Sequence, residues 1–110
     1  MKLPGGGRAF ADIAKLRDYS LNPHHPEGKH KARVFHAALG IRIEDAGWLR
    51  EKLLKAAREL PCEIGPRSVY GQRYTIDCTV SRNERTARLR SAWIVRGNED
   101  FPRLVSCYVL

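Results

Sequence analysis

Residues 21–35, LNPHHPEGKHKARVF, bring His24, His25, Lys29, His30, Lys31 and Arg33 together around Pro23, Pro26 and Gly28. An imidazole gives or takes a proton near neutral pH, and ammonium and guanidinium groups stabilise anionic oxygen. A loop that hands over to a helix adds exposed backbone N–H groups, which also favour an anion. Such residues can break a phosphodiester without metal: a base activates a 2'-hydroxyl, an acid protonates the leaving oxygen, and cations hold the charge on phosphorus. His25, between His24 and Pro26 in a stiffened loop, is the candidate acid or base. Lys31 is the candidate cation, because it lies four residues before Phe35 and so shares that residue's helix face. The competing reading leaves Lys29 and Arg33 in water and pairs Lys31 with Glu27 or a strand acid.

The histidines do not have metal-site spacing. His30 and His36 are six apart, on different helix faces, and the chain has neither an HExxH run nor paired cysteines. No metal or other cofactor is expected. Cys62, Cys78 and Cys107 are an odd number in strand-like contexts and are expected to be buried thiols.

The elements that would position these groups follow from periodicity. Met1–Arg8 reads as a flexible Gly-rich lead-in, and Ala9–Ala11 as a short edge strand. Asp12 caps a predicted two-turn helix over Ile13–Leu21, ended by Asn22-Pro23. A second helix is expected over Lys29–Leu39 with Gly40 as its stop. A third runs from about Glu44 to Leu60, with Leu49, Leu53, Leu54, Ala57 and Leu60 on one face and no good N-cap at Arg42-Ile43. After Pro61 the period changes to two. Cys62–Ile64 reads as a short strand and Gly65-Pro66 as a turn. Strands follow at Val69–Val80, Arg85–Arg96 and Arg103–Leu110, with a turn at 81–84.

Helices followed by an antiparallel meander make the class α+β, with N-terminal helices on one face of a three- to four-stranded sheet. Alternation places Arg73, Thr75, Asp77, Arg88, Arg90, Ser106 and Tyr108 on the opposite face, and Val105, Cys107 and Val109 towards the core. Arg73, Arg88 and Arg90 can grip phosphate in a forked geometry, and Arg90 is the candidate opposite wall to Lys31. The plainer alternative is a solvated face with cross-strand pairs such as Arg90 with Asp77. Gly71 leaves room for a bend or a close approach. Trp48 and Trp93 read as core residues.

The chain has 110 residues, 43% of them hydrophobic, which suits one domain with one core. Twenty Lys and Arg against twelve Asp and Glu give +8, which favours nucleic acid or an acidic protein as partner. No run is long and apolar enough to span a bilayer, and the N-terminus lacks a secretion signal's apolar core, so a cytoplasmic location without membrane contact is expected.

The runs MKLP at 1–4, LNPHHPEGKHKARVFHAALG at 21–40, YGQRY at 70–74, RSAWIV at 90–95 and PRLVSCYVL at 102–110 resemble a small uncharacterised bacterial domain family. That family is found as stand-alone proteins and as C-terminal domains of polymorphic or contact-dependent inhibition toxins. The resemblance implies an endoribonuclease toxin whose partner is a small acidic antitoxin or immunity protein. It carries over Asn22, His25, Gly28 and Lys31 in the loop, Tyr70 and Gln72 at the start of a strand, and Arg90 and Trp93 in the next. The order of elements is also similar to the compact ribonuclease fold of RelE- and barnase-like toxins, an analogy of fold alone. The expected site is therefore His25, Lys31 and Arg90 for catalysis, with Asn22, Tyr70, Gln72, Arg73, Arg88 and Tyr108 binding substrate. The rival expectations are a non-catalytic basic module that binds nucleic acid or an acidic partner and, ranked last because of the basic charge, an immunity protein.

Overall fold

A computed structural model describes residues 1–110. Three helical segments precede a four-stranded antiparallel meander, so the class is α+β. The Asp12 carboxylate accepts from Ala14 N–H at 3.0 Å and opens a single α-turn, α1 (Ile13–Lys15). This runs straight into a π-helical turn over Leu16–Ser20. Helix α2 (Lys29–Leu39) has the expected bounds, and its stop Gly40 adopts φ 69°, the left-handed conformation that ends helices. Helix α3 (Ala46–Glu59) is entered through a 3-10 turn, Ile43–Asp45. The missing N-cap is supplied from within that turn, where the Asp45 carboxylate accepts from Arg42 N–H at 2.9 Å and from Arg82 Nη2 at 2.9 Å.

Strands β1 (Glu63–Ser68), β2 (Gly71–Arg82), β3 (Arg85–Val95) and β4 (Pro102–Val109) lie in chain order. Gly65-Pro66, expected as a turn, lies inside β1. A shift of register between Ile64 and Arg67 accommodates it there, and a proline is tolerated at such an irregularity on an edge strand. The β1–β2 turn is Val69-Tyr70 instead, and the β2–β3 turn shrinks to Asn83-Glu84, with Asn83 at φ 56°. Gly71 sits at φ 140° with its Cα against the Val95 carbonyl, leaving no room for a Cβ. The close approach at this glycine is thus made by the neighbouring strand's backbone.

One buried cluster joins the two parts. Phe35 and Leu39 of α2 and Leu49, Leu53, Ala56 and Ala57 of α3 meet Tyr74, Ile76, Cys78, Val80, Ala87, Leu89, Trp93, Leu104 and Cys107 of the sheet. Val105 departs from the expected alternation. A bulge pairs Ala92 with Ser106 but Trp93 with Leu104, so Val105 is the extra residue and Leu104 takes the core position.

The lead-in is docked, not a tether. Leu3 is buried, Lys2 bridges Pro61, Met1 O accepts from Cys62 N–H at 2.7 Å, and residues 6–8 form a 3-10 turn. Gly6 lies so close to the Ala57 carbonyl that a Cβ would collide with it, so glycine here permits contact between backbones. Phe10 is no strand but makes a single parallel bridge to Arg103.

All three cysteines are free and buried. Burial pushes the Cys107 thiol up to about 12, with smaller opposing effects from Ser20 and Lys31. The unfolded thiol titrates near ~8.5. The native state therefore keeps this contribution in full below that pH and loses it as pH rises from there towards the folded value. Thermal melts between pH 8 and 10.5 should fall more steeply for the wild type than for Cys107→Ala, by up to ~1.4 kcal/mol per pH unit. Native protein should also resist thiol reagents until denaturant is added, and rapid labelling of Cys107 in buffer would contradict its burial.

Candidate functional site

Gly28 is the hinge on which the loop rests. It is buried with its Cα against the Tyr19 carbonyl, so any larger residue would push the loop off the π-helical turn. Asn22 fixes the loop's start: its Nδ2 donates to Asp18 O at 3.2 Å and its Oδ1 accepts from His24 N–H at 2.9 Å. These bonds seat the His25 ring edge-on against Tyr19, with centroids 4.7 Å apart and planes at 70°. His25 Nδ1 accepts from the backbone N–H groups of Glu27 and Gly28 at 3.0 and 2.9 Å. Backbone N–H groups can only donate, so the neutral ring carries its hydrogen on Nε2.

Lys31 lies on the half-buried side of α2, as its spacing from Phe35 predicts. Its Nζ stands 5.4 Å from the Tyr19 ring centroid and 5.8 Å from that of Tyr108, a cation shared by two aromatic faces. Tyr108 pairs in register with Arg90, and Arg90 with Asp77 across β3 and β2. Arg90 Nε and Nη2 donate to the two Asp77 oxygens at 2.7 and 2.9 Å, a forked pair. The Arg90 guanidinium holds the Asp77 carboxyl below the usual range, so Asp77 is ionised and weakly basic. Asp77 first, and then the Tyr108 oxygen, favour the charged form of Arg90.

His25, Tyr19, Lys31, Tyr108, Arg90 and Asp77 thus form one run of neighbours from the loop to the sheet. Of the expected catalytic set, His25, Lys31 and Arg90 all belong to it, and of the binding set Tyr108 does. Tyr19 carries no sign of this position in the sequence, because helical spacing does not show that it lies between the loop histidine and Lys31. The Arg90–Asp77 pair is the one the plainer reading named, and it lies beside Tyr108, the ring that Lys31 also approaches.

Asn22 holds the His25 loop, and the other expected binding residues lie elsewhere. Arg88 is one row away and donates to Thr79 Oγ1 at 3.0 Å. Gln72 Nε2 donates to Gly65 O at 2.7 Å and Arg73 O at 3.2 Å, stapling the irregular part of β1. Tyr70 and Arg73 line a separate groove of about 810 Å³ at the other end of the sheet, with Arg96, Lys15 and Phe10. His24, His30 and His36 are exposed, and no three His, Cys, Asp or Glu side chains gather as a metal site would require. No helix is long and apolar enough to cross a membrane.

No curated protein and no solved structure matches the chain. A family model, described as "Domain of unknown function (DUF6883)", matches residues 2–110, nearly the whole length, and the chain belongs to that family.

Proposed function

We propose that the protein is the toxin of a bacterial toxin–antitoxin or toxin–immunity pair and cleaves cellular RNA without metal, with a small acidic protein as its natural inhibitor. The observation that carries this reading is the run of neighbours joining His25 through Tyr19 and Lys31 to Tyr108 and Arg90. Lys31 and Arg90 stabilise the charge that develops on phosphorus, Asp77 orients Arg90, and Tyr19 holds Lys31 and His25 in relation to each other. An acid–base cycle at His25 requires Nδ1 to release the Glu27 and Gly28 amides. Without that release, the residue serves as a fixed Nε2–H donor to a phosphate oxygen. The order of elements, helices then meander, fits a RelE- or barnase-like architecture and supports the reading by analogy only. The charge of +8 suits both an RNA substrate and an acidic partner.

Purified protein should fragment total RNA in EDTA. His25→Ala should lower the rate about 100-fold if the imidazole moves a proton, with one limb of the pH–rate profile lost as well. Rescue by His25→Gln, which keeps a donor and an acceptor, would assign the fixed-donor role. Intact RNA in the presence of folded wild-type protein would reject cleavage altogether.

A second reading, a non-catalytic basic module, is favoured by one observation. Arg90 is already committed to Asp77, and His25 Nδ1 to its own loop. That reading expects salt-sensitive binding of RNA or an acidic protein and no cleavage.

A further inference from the structure

The face of the sheet turned away from the core is organised in rows. Asp77, Arg90 and Tyr108 form one row; Thr75, Ala92 and Ser106 the next; Arg73, Ile94 and Arg103 the third. The middle row is small and neutral, a smooth floor between the Arg90–Asp77 ion-pair row on one side and the Arg73 and Arg103 row on the other. Four residues of strand separate the outer rows, about 13–14 Å at the usual rise. That distance accommodates about four nucleotides at the ~3.4 Å rise of a stacked strand, and fewer if the strand is drawn out.

The third row opens into the groove between the β1–β2 and β3–β4 turns. Lys15, Arg73, Arg96 and Arg103 line it against the single acid Asp12. Two of these cations are already engaged within the protein: Arg103 with Glu99 at 2.8 Å, and Lys15 with the Leu104 and Val105 carbonyls at 3.2 and 3.3 Å. Of the other two, the Arg73 guanidinium is exposed and has no ion-pair partner, and Arg96 makes only a long ion pair, at 4.0 Å, to the Glu99 carboxylate that Arg103 already holds. Over the same groove, Tyr70 stands 75% exposed. An exposed aromatic ring sharing a groove with one unpaired and one loosely paired guanidinium group is the pattern of a stacking platform for an unpaired base.

We infer that this groove is a nucleotide subsite for single-stranded RNA, with a base stacked on Tyr70 and phosphate held by Arg73 and Arg96, upstream or downstream of the Lys31–Arg90 run. The inference rests on the RNA reading proposed above and deepens it by naming the substrate class, single-stranded over duplex. Duplex RNA keeps its bases paired and offers no free face to Tyr70.

The test is fluorescence anisotropy with a 2'-O-methyl oligonucleotide of about ten residues, which cannot be cleaved, beside a single-stranded DNA and a duplex RNA of equal length. The wild type should bind the single-stranded RNA analogue at least about tenfold more tightly than the duplex. Arg73→Glu, Arg96→Glu and Tyr70→Ala should each weaken it about tenfold, while Tyr70→Phe retains affinity. Arg67→Glu makes the same change of charge outside the groove and should alter affinity less than about threefold. Equal binding of duplex and single strand, or equal loss in Arg67→Glu, overturns the subsite. Tighter binding of the DNA strand overturns its assignment to RNA. If wild-type protein binds as expected but cleaves no RNA, the subsite stands and the nuclease reading fails. If the groove variants bind and cleave like wild type, the reverse holds.

Discussion

Trp93→Ala should destabilise the protein by ~3–5 kcal/mol, the loss typical of truncating a fully buried large aromatic. The indole is 0% exposed and sits in the middle strand, paired in register with Tyr74 on one side and Leu104 on the other. Truncation leaves a cavity bounded by both neighbouring strands, and a core of this kind collapses only partly around such a gap. A buried polar link is lost as well: Trp93 Nε1 donates to Ser91 Oγ at 2.9 Å, and that hydroxyl donates to Ile76 O at 3.3 Å. A domain of this size has only ~5–15 kcal/mol in total, so the melting temperature should drop by roughly 15–25 °C. Trp93→Phe keeps most of the volume and loses the donor, for which ~1–2 kcal/mol is expected. Urea unfolding followed by far-UV circular dichroism reads both. A cost below about 1 kcal/mol for the alanine variant would show that the core is not centred on the indole.

Lys31→Ala should reduce RNA cleavage by ~100- to 1000-fold while leaving the fold intact. The ammonium group lies between the Tyr19 ring and the ring of Tyr108, the register partner of Arg90, where charge on a bound phosphate would build up. Removing it forfeits the two cation–aromatic contacts, ~1 kcal/mol of stability, so a fall in rate far beyond the fall in stability isolates the chemical role. The loss should appear in kcat with little change in KM, the mark of an interaction made in the transition state. Lys31→Met, which keeps the stem and its packing, should be as inactive as the alanine variant. Lys31→Arg should retain part of the activity, because a guanidinium keeps the charge, stacks on aromatic faces and can hold phosphate. A rise in KM at constant kcat would instead make Lys31 a binding residue and favour the non-catalytic module.

Much of this arrangement was legible in the amino-acid pattern, and the exceptions have physical causes. Helix α2 and its stop could be read because apolar spacing, Gly28 and Gly40 all agreed, and the alternation of β2, β3 and the end of β4 placed Asp77, Arg90 and Tyr108 in one row. The bulge at Val105 was not legible, since one inserted residue leaves no local mark in an apolar strand. Gly65-Pro66 carried a turn signal that the edge position overrode. The lead-in looked like a tether because three glycines are locally permissive, whereas tertiary contacts with α3 and with Pro61-Cys62 ahead of β1 decide its position. His25 was legible as a candidate, but the engagement of Nδ1 by its own loop depends on a fold-back that spacing does not encode. The Tyr70 groove forms only when two turns distant in sequence are brought to the same end of the sheet.

An open four-stranded sheet leaves two rows of backbone groups able to recruit a strand from another molecule, the usual first step towards fibrous aggregates. At the β4 edge the chain's own Phe10 satisfies Pro102 O and Leu104 N–H, at 2.8 and 2.9 Å, and the Lys15 ammonium covers the Leu104 and Val105 carbonyls. At the β1 edge the shifted register and Pro66 break the ladder before six residues have passed. Stacking into cross-β assemblies is therefore hindered at one edge by occupation over residues 102–105 and at the other by irregularity. Loosening the Phe10 segment would be the shorter route to precipitation.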